Sequence, residues 1–274
     1  MLGRFATDCL RPAEGATFLV HLAAPERASV EPHVEVESVT RGTVLFDAVD
    51  AADFIYFPQG PLISLEQSNG VEVALVGREG LAGWPALAGC KSSLYRAVVR
   101  GGDGIVLKVP TAALLPLLLA SPSMSLMLNR FVTAVGLQMA ETISASALHR
   151  IDMRLARWLL LRHDRATGDQ ILVQHDEIAE NLGTRRASIT DCLHVIEGNG
   201  IVRCRRGRII IRDRTALEAM ATGCYGAAEA LYRELIGGMG KRAAVPQPWP
   251  AMEAMSIHGE VAPPPLLLRA AQPK

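Results

Sequence analysis

The stretch HDEIAENLGTRRASITDCLHVIEGNGIVRCRRGRIIIRD, residues 175–213, constrains the fold of this chain more than any other part of it. Its first third puts Ile178, Ala179 and Leu182 on one side of a short helix, and Gly183 supplies a tight turn. Thr184 is read as the cap of a second helix, 184–199, in which Ile189, Leu193 and Ile196, with Val195 beside them, form the buried stripe. Two helices joined by a turn containing glycine have the spacing of a helix-turn-helix. The stripe leaves Arg185, Arg186, Ser188, Thr190 and Asp191 at the exposed N-terminal part of the second helix, the part that meets base edges when such a helix enters a major groove. Arginine offers a bidentate fork to guanine or phosphate, and serine or threonine a short hydrogen bond.

The residues that follow extend this pattern. GIVRCRRGRIIIR alternates, so that Ile201, Val202 or Cys204, Ile209 and Ile211 can enter a core while Arg203, Arg205, Arg206 and Arg208 surround a turn at Gly207. This is a β-hairpin with a basic tip, the wing of a winged helix, suited to a salt-dependent attraction to phosphates that carries no sequence information.

Upstream the periodicity is different. Residues 34–39, 43–49, 53–61, 62–67, 71–77, 94–100 and 105–110 read as short strands, with hairpin signals at Asn69-Gly70 and at the Gly-Gly-Asp-Gly turn, 101–104. Strands at this spacing without intervening long helices predict an antiparallel roll or jelly roll over residues 14–110. After Val109, TAALLPLLLA is a short apolar helix, and Ser121-Pro122-Ser123 introduces a long one running to about Leu148. Leu128, Val132, Val135, Met139 and Ile143 fall near a three-four spacing, and Met124 and Phe131 widen the stripe; an apolar face this wide predicts a dimerisation helix packed on both its own roll and a partner. The 21 uncharged residues between Lys108 and Arg130 could span a bilayer by length, but three prolines and a polar second half argue for a buried helix followed by a turn. Residues 153–168 form an amphipathic helix ended by Gly168, residues 170–174 a short strand, and two more helices follow the wing. From Met239 onward seven prolines and weak periodicity predict a disordered tail, 239–274.

Charge follows the same division. The formal net charge is zero, but residues 13–80 hold eleven acids and three arginines, whereas residues 183–212 hold seven arginines and two acids. The two ends therefore face different partners. Five scattered cysteines with no CxxC pair point to reduced thiols, and Asp8, Arg11, Glu14 and His21 interrupt any export signal, so a cytoplasmic protein is expected.

These features resemble the Crp/Fnr family of bacterial transcription regulators. DEIAENLGTRRASIT, IEGNGIVRCRRGRIIIRD and FIYFPQGPLISL carry the likeness, which spans about residues 16–225. The resemblance implies an α+β chain with an N-terminal antiparallel β-roll sensor (14–110), a short helix and dimerisation helix (111–150), and a winged helix-turn-helix (151–238). It further implies a homodimer on double-stranded DNA at a two-fold-symmetric promoter site, with RNA polymerase as a further partner and no catalytic activity. Aligned on Gly183, Arg186 falls where the family often places a base-contacting arginine. Ala187 stands where many members have glutamate and Asp191 where many have a second arginine, so the preferred half-site is expected to differ from the family's commonest one. In the phosphate-binding turn of the roll, Trp84 follows Gly83 in place of glutamate, and Lys91-Ser92 occupies the Arg-Ser positions. Lysine lacks the bidentate fork, and an effector other than cAMP is expected. No cofactor or metal is expected: the iron–sulfur branch needs clustered cysteines, and His21 or His33 has no companion that marks a haem site.

Two other classes make different demands. A cupin-like jelly-roll metalloenzyme needs a His-x-His pair followed by glutamate, and all seven histidines are isolated. A protein-binding module that has lost specific DNA binding would show itself as an absence of base preference.

Overall fold

Seven short strands close the N-terminal half around an aromatic core in the computed structural model, which describes residues 18–51 and 53–241. After a short helix α1 (Ala24–Val30), strands β1 (Glu35–Val39), β7 (Gly104–Pro110) and β3 (Phe54–Pro58) form one antiparallel sheet in the order β1-β7-β3. Strands β2 (Val44–Phe46), β6 (Arg96–Arg100), β4 (Leu62–Glu66) and β5 (Glu72–Val76) form a second in the order β2-β6-β4-β5. The strands lie where the period-two alternation places them, because one face of each sheet buries Ile55, Phe57, Ile63, Leu65, Val99 and Leu107 between them.

Helix α2 (Thr111–Ala120) leads into α3 (Pro122–Leu148), whose N-cap Ser121 accepts from the amide of Met124 and whose first residue is proline. Met124, Phe131, Ala134 and Val135 pack α3 onto the roll, where the Phe131 ring meets Phe18 and Trp84 edge-on with centroids 5.7 Å apart. Gln138, on the same face, accepts a 2.7 Å hydrogen bond from the amide of Leu75, satisfying an N–H on the free edge of β5. By length and composition α3 is the one helix among the described residues that could cross a membrane.

The C-terminal half comprises α4 (Ile151–Arg165), β8 (Gln170–Leu172), α5 (His175–Asn181), α6 (Arg186–Gly198), β9 (Val202–Arg205), β10 (Arg208–Ile211), α7 (Arg214–Met220) and α8 (Ala227–Leu235), with the strands ordered β8-β10-β9. Leu155, Leu159, Ile178, Ile189, Leu193, Ile196, Val202 and Ile209 make its core. Two sequence expectations change here. Helix α8 leaves this core and returns to the roll, where Tyr232, Ile236 and Met239 join the roll's buried cluster and the Tyr232 hydroxyl donates to the Glu79 carbonyl at 2.5 Å. Met239, assigned to the tail, is therefore a core residue; the remainder of that tail, from 242, lies outside the described residues.

The two halves meet through a polar junction. Four arginines of α4 turn toward the roll, α3 or the turn after α5. Arg162 grips Glu72 of β5 with two bonds of 2.9 and 2.6 Å, stacks over the Trp158 ring and reaches Asn181 of α5. Arg165 donates to Glu79 at 2.6 Å, Arg157 to the carbonyl of Gln138 at 3.0 Å, and Arg154 to the carbonyl of Leu182. Asn181 in turn donates to the carbonyl of Gly70 at the β4–β5 turn, and Arg41 pairs with Glu177. The two most closely held guanidiniums, Arg162 and Arg165, each meet a carboxylate of the roll, which is the condition for burying such a charge.

Candidate nucleic-acid interface

Helix α5 ends at a turn that only glycine makes comfortably. Gly183 has φ +58°, and the amide of Thr184 returns to the carbonyl of Ala179 at 2.9 Å. The chain then passes through Arg185 in an extended conformation, and α6 begins at Arg186. Arg185, rather than Thr184, is the N-cap, and its side chain makes no cap bond; the first-turn N–H groups of α6 thus remain available to a phosphate oxygen. Ile189, Leu193 and Ile196 bury one face of α6, as the sequence spacing predicted, and Val195 stands exposed.

On the opposite face Arg185, Arg186, Ala187 and Asp191 are exposed, and Ser188 and Thr190 are half-buried. Thr190 donates to the carbonyl of Arg186 at 3.1 Å and sits 3.0 Å from Nδ1 of His175. Burial, aided by the charge of Arg186, lowers the pKa of His175 and favours the neutral ring. Arg186 Nε lies 3.3 Å from a carboxylate oxygen of Asp176, the second residue of α5.

The wing forms beside this helix. In the β9–β10 hairpin Arg205 stands opposite Arg208 and Cys204 opposite Ile209, with Gly207 at φ +75° in the turn. Alternation turns Val202, Ile209 and Ile211 inward and leaves Arg203, Arg205, Arg206 and Arg208 exposed. Burial and the nearby Glu197 push the Cys204 thiol up to about 11, so it packs as a neutral group. Between α6 and the wing lies an open groove of about 890 Å³, lined by Gln174, His175, Asp176, Arg186, Arg205, Arg206 and Arg208 among others. Four of the six predicted arginines, Arg186, Arg205, Arg206 and Arg208, border this groove, and Arg185 and Arg203 stand exposed outside its lining. Sequence reasoning missed Gln174, His175 and Asp176, because the turn at Gly183 joins the end of α5 to the start of α6 and only the angle between the two helices brings the start of α5 to the groove.

The roll residues singled out from sequence do not form a comparable site. Gly83 is at φ +97°, where a Cβ would come within 2.8 Å of the Phe54 carbonyl oxygen, and Trp84 is buried against Phe131 and Tyr95. Lys91 and Ser92 lie exposed on the following loop. The cavity left beside Trp84 holds about 10 Å³, room for roughly one water. Along α3, Val135 is buried on the roll, Leu128, Val132 and Met139 are half-buried there, and Ile143 is 69% exposed. Among the described residues no group of three or more His, Cys, Asp or Glu side chains is placed to hold a metal ion.

An antiparallel roll joined through a long helix to a winged helix-turn-helix, with arginines ringing an open groove, defines a DNA-binding regulator. Residues 153–220 match the Crp-like helix-turn-helix domain family. Solved structures share the whole architecture. A CRP-family transcriptional regulator from Thermus thermophilus superposes with a TM-score of 0.59 at 19% identity, covering 70% of this chain and 99% of that one. FixK2 from Bradyrhizobium japonicum gives 0.58 at 16%, covering 70% and 99%. The c-di-GMP responsive global regulator CLP of Xanthomonas campestris gives 0.58 at 16%, covering 69% and 99%. No curated protein matches by sequence. The chain carries a Crp-like DNA-binding domain on the fold of the Crp/Fnr transcription regulators.

Proposed function

We propose that this protein is a homodimeric, sequence-specific transcription regulator that lays α6 in the major groove of a two-fold-symmetric promoter site. Thr184, Arg185, Arg186, Ser188, Thr190 and Asp191 would face bases or the adjoining backbone. Arg203, Arg205, Arg206 and Arg208 would neutralise phosphates, with RNA polymerase as the protein partner. The observation that carries this reading is the groove between α6 and the wing: Arg186, Arg205, Arg206 and Arg208 border it, and Asp176 is its one acidic wall residue among the described residues. Filling of the roll interior by Trp84 supports an effector other than cAMP, and the protein would work in the compartment that holds the DNA.

Fluorescence anisotropy against a library of genomic fragments at several salt concentrations tests this. The expected result is tight binding to a palindromic subset and weaker, more salt-sensitive binding to the rest; uniform binding, or none, would refute it.

The dimer contact fits the face of α3 that the roll leaves open. Leu126, Asn129, Thr133, Gly136, Ala140, Ile143 and Ala147 are all exposed at a three-four spacing. Ile143, at 69% exposure, belongs both to this line and to the seam read from sequence, whereas Val135 serves the chain's own core. Ile143→Arg should give monomers in sedimentation velocity with the fold intact, and Val135→Asp should lower thermal stability; a dimeric I143R protein would place the contact elsewhere.

A further inference from the structure

Arg186 is not left to find its own orientation. Its Nε is 3.3 Å from Asp176 Oδ1 at the mouth of the groove, and the two side chains are 68% and 63% exposed. The backbone behind it is tied down as well. The Thr190 hydroxyl donates its one proton to the Arg186 carbonyl, so toward His175 it can only accept, which places the imidazole proton on Nδ1. The first two residues of α5 therefore meet the N-terminal part of α6 at two points, His175 at the Thr190 hydroxyl and Asp176 at the Arg186 guanidinium.

We propose that Asp176 is a positioning residue for base selection, acting through Arg186; this rests on the reading of α6 as the recognition helix. A guanidinium carries five N–H donors in a planar fork. The carboxylate lies at the Nε edge, and the two terminal nitrogens are the pair that can grip N7 and O6 of a guanine end-on. An arginine at the start of a helix has a competing target, the nearest phosphate, which attracts it equally on every sequence. A carboxylate beside the arginine repels that phosphate and holds the fork toward the groove. Asp176 thus lowers affinity for DNA in general and raises the preference for one base pair in each half-site. Asp191 is also exposed on α6, but the carboxylate that meets Arg186 is that of Asp176.

The test compares wild type with Asp176→Ala, Asp176→Glu, Arg186→Ala and the double Asp176→Ala/Arg186→Ala variant. The readouts are sequencing of protein-selected randomised duplexes, anisotropy on the best site and on an unrelated duplex, and thermal melting as a check on the fold. Arg186→Ala should flatten one base pair per half-site by roughly 10- to 100-fold. Asp176→Ala should flatten the same base pair by roughly 2- to 5-fold, the scale of an exposed ion pair, while binding to the unrelated duplex tightens. Asp176→Glu should restore part of the preference, and the double variant should discriminate no worse than Arg186→Ala alone. An unchanged base profile in Asp176→Ala, or equal weakening on both duplexes, overturns the proposal, because a purely structural residue would act in that way. A profile that Arg186→Ala leaves unchanged while wild type discriminates overturns it alone. Wild-type protein without base preference overturns the recognition-helix reading, and this proposal with it.

Discussion

Two sets of arginines in this chain meet opposite fates. Arg157, Arg162 and Arg165 of α4 are buried where α4 meets α3 and the roll; Arg186, Arg205, Arg206 and Arg208 around the groove stand exposed. The side chain is the same, and what differs is the supply of anions. The roll brings Glu72 and Glu79 to α4, with their carboxylates nearly as buried as the guanidiniums that meet them, whereas among the described residues the groove offers only Asp176. The first set spends its charge inside the protein and joins the two halves. The second retains its charge for a polyanion. The comparison also accounts for a chain of zero net charge that can still bind DNA: the carboxylates that cancel part of its arginine are inside.

The largest break in this comparison comes from the buried set. Arg162→Ala leaves the Glu72 carboxylate inside the junction with only the Ser64 hydroxyl, at 2.6 Å, to satisfy it. Chemical denaturation should show a loss of about 3–5 kcal/mol, and removal of Glu72 in the same chain should recover part of it, since the uncompensated charge goes with it. A loss below about 1 kcal/mol would show that water enters the junction and solvates the pair.

The exposed set should respond in the reverse manner. Arg205→Ala and Arg206→Ala should each weaken binding to every duplex by a similar factor and reduce the salt slope by about 0.9 for each phosphate no longer neutralised, with unfolding free energy changed by less than about 0.5 kcal/mol. A change in base preference on removing either wing arginine would move that residue from phosphate to base.

The smallest effect expected is one of pH. His163, at the end of α4, is held by Asp169 at 2.9 Å and by Arg214 at 3.0 Å. Burial lowers its pKa below the ordinary 6.5, the charges of Lys241 and Arg214 add to this, and the Asp169 hydrogen bond opposes it. Because the folded value is the lower one, the unfolded chain binds more protons as pH falls past 6.5, and the stability that neutral His163 provides is lost in that direction. The stability advantage of wild type over His163→Gln should therefore be full at about pH 7.5 and shrink below about pH 6.5; an advantage that grows on acidification would show that the Asp169 interaction dominates.

Much of the groove was legible in the sequence for a local reason. The alternation in GIVRCRRGRIIIR and the stripe of Ile189, Leu193 and Ile196 determine which side chains point out within a few residues of backbone, whatever the rest of the chain does. Asp176 was harder to find, because its pairing with Arg186 depends on the angle between α5 and α6. The effector residues were harder still: Gly83 and Trp84 lie close to Lys91 and Ser92 along the chain, yet the tryptophan turned into the aromatic core while the lysine stayed at the surface.

The sequence by itself determined the strands of the roll, the long helix after it and the helix-turn-helix with its basic wing, since period-two and helical repeats are short-range properties of the chain. Only the tertiary structure decided that the arginine face of α4 is inside, that α8 crosses back to cover the roll, and that Val135 belongs to the chain's own core. Each of these depends on a partner remote in sequence: Glu72 and Arg162 are 90 residues apart, and Tyr232 reaches Glu79 across 153. A charged or apolar side chain shows by its type what it needs, but which surface will satisfy it is settled when distant segments compete to bury it.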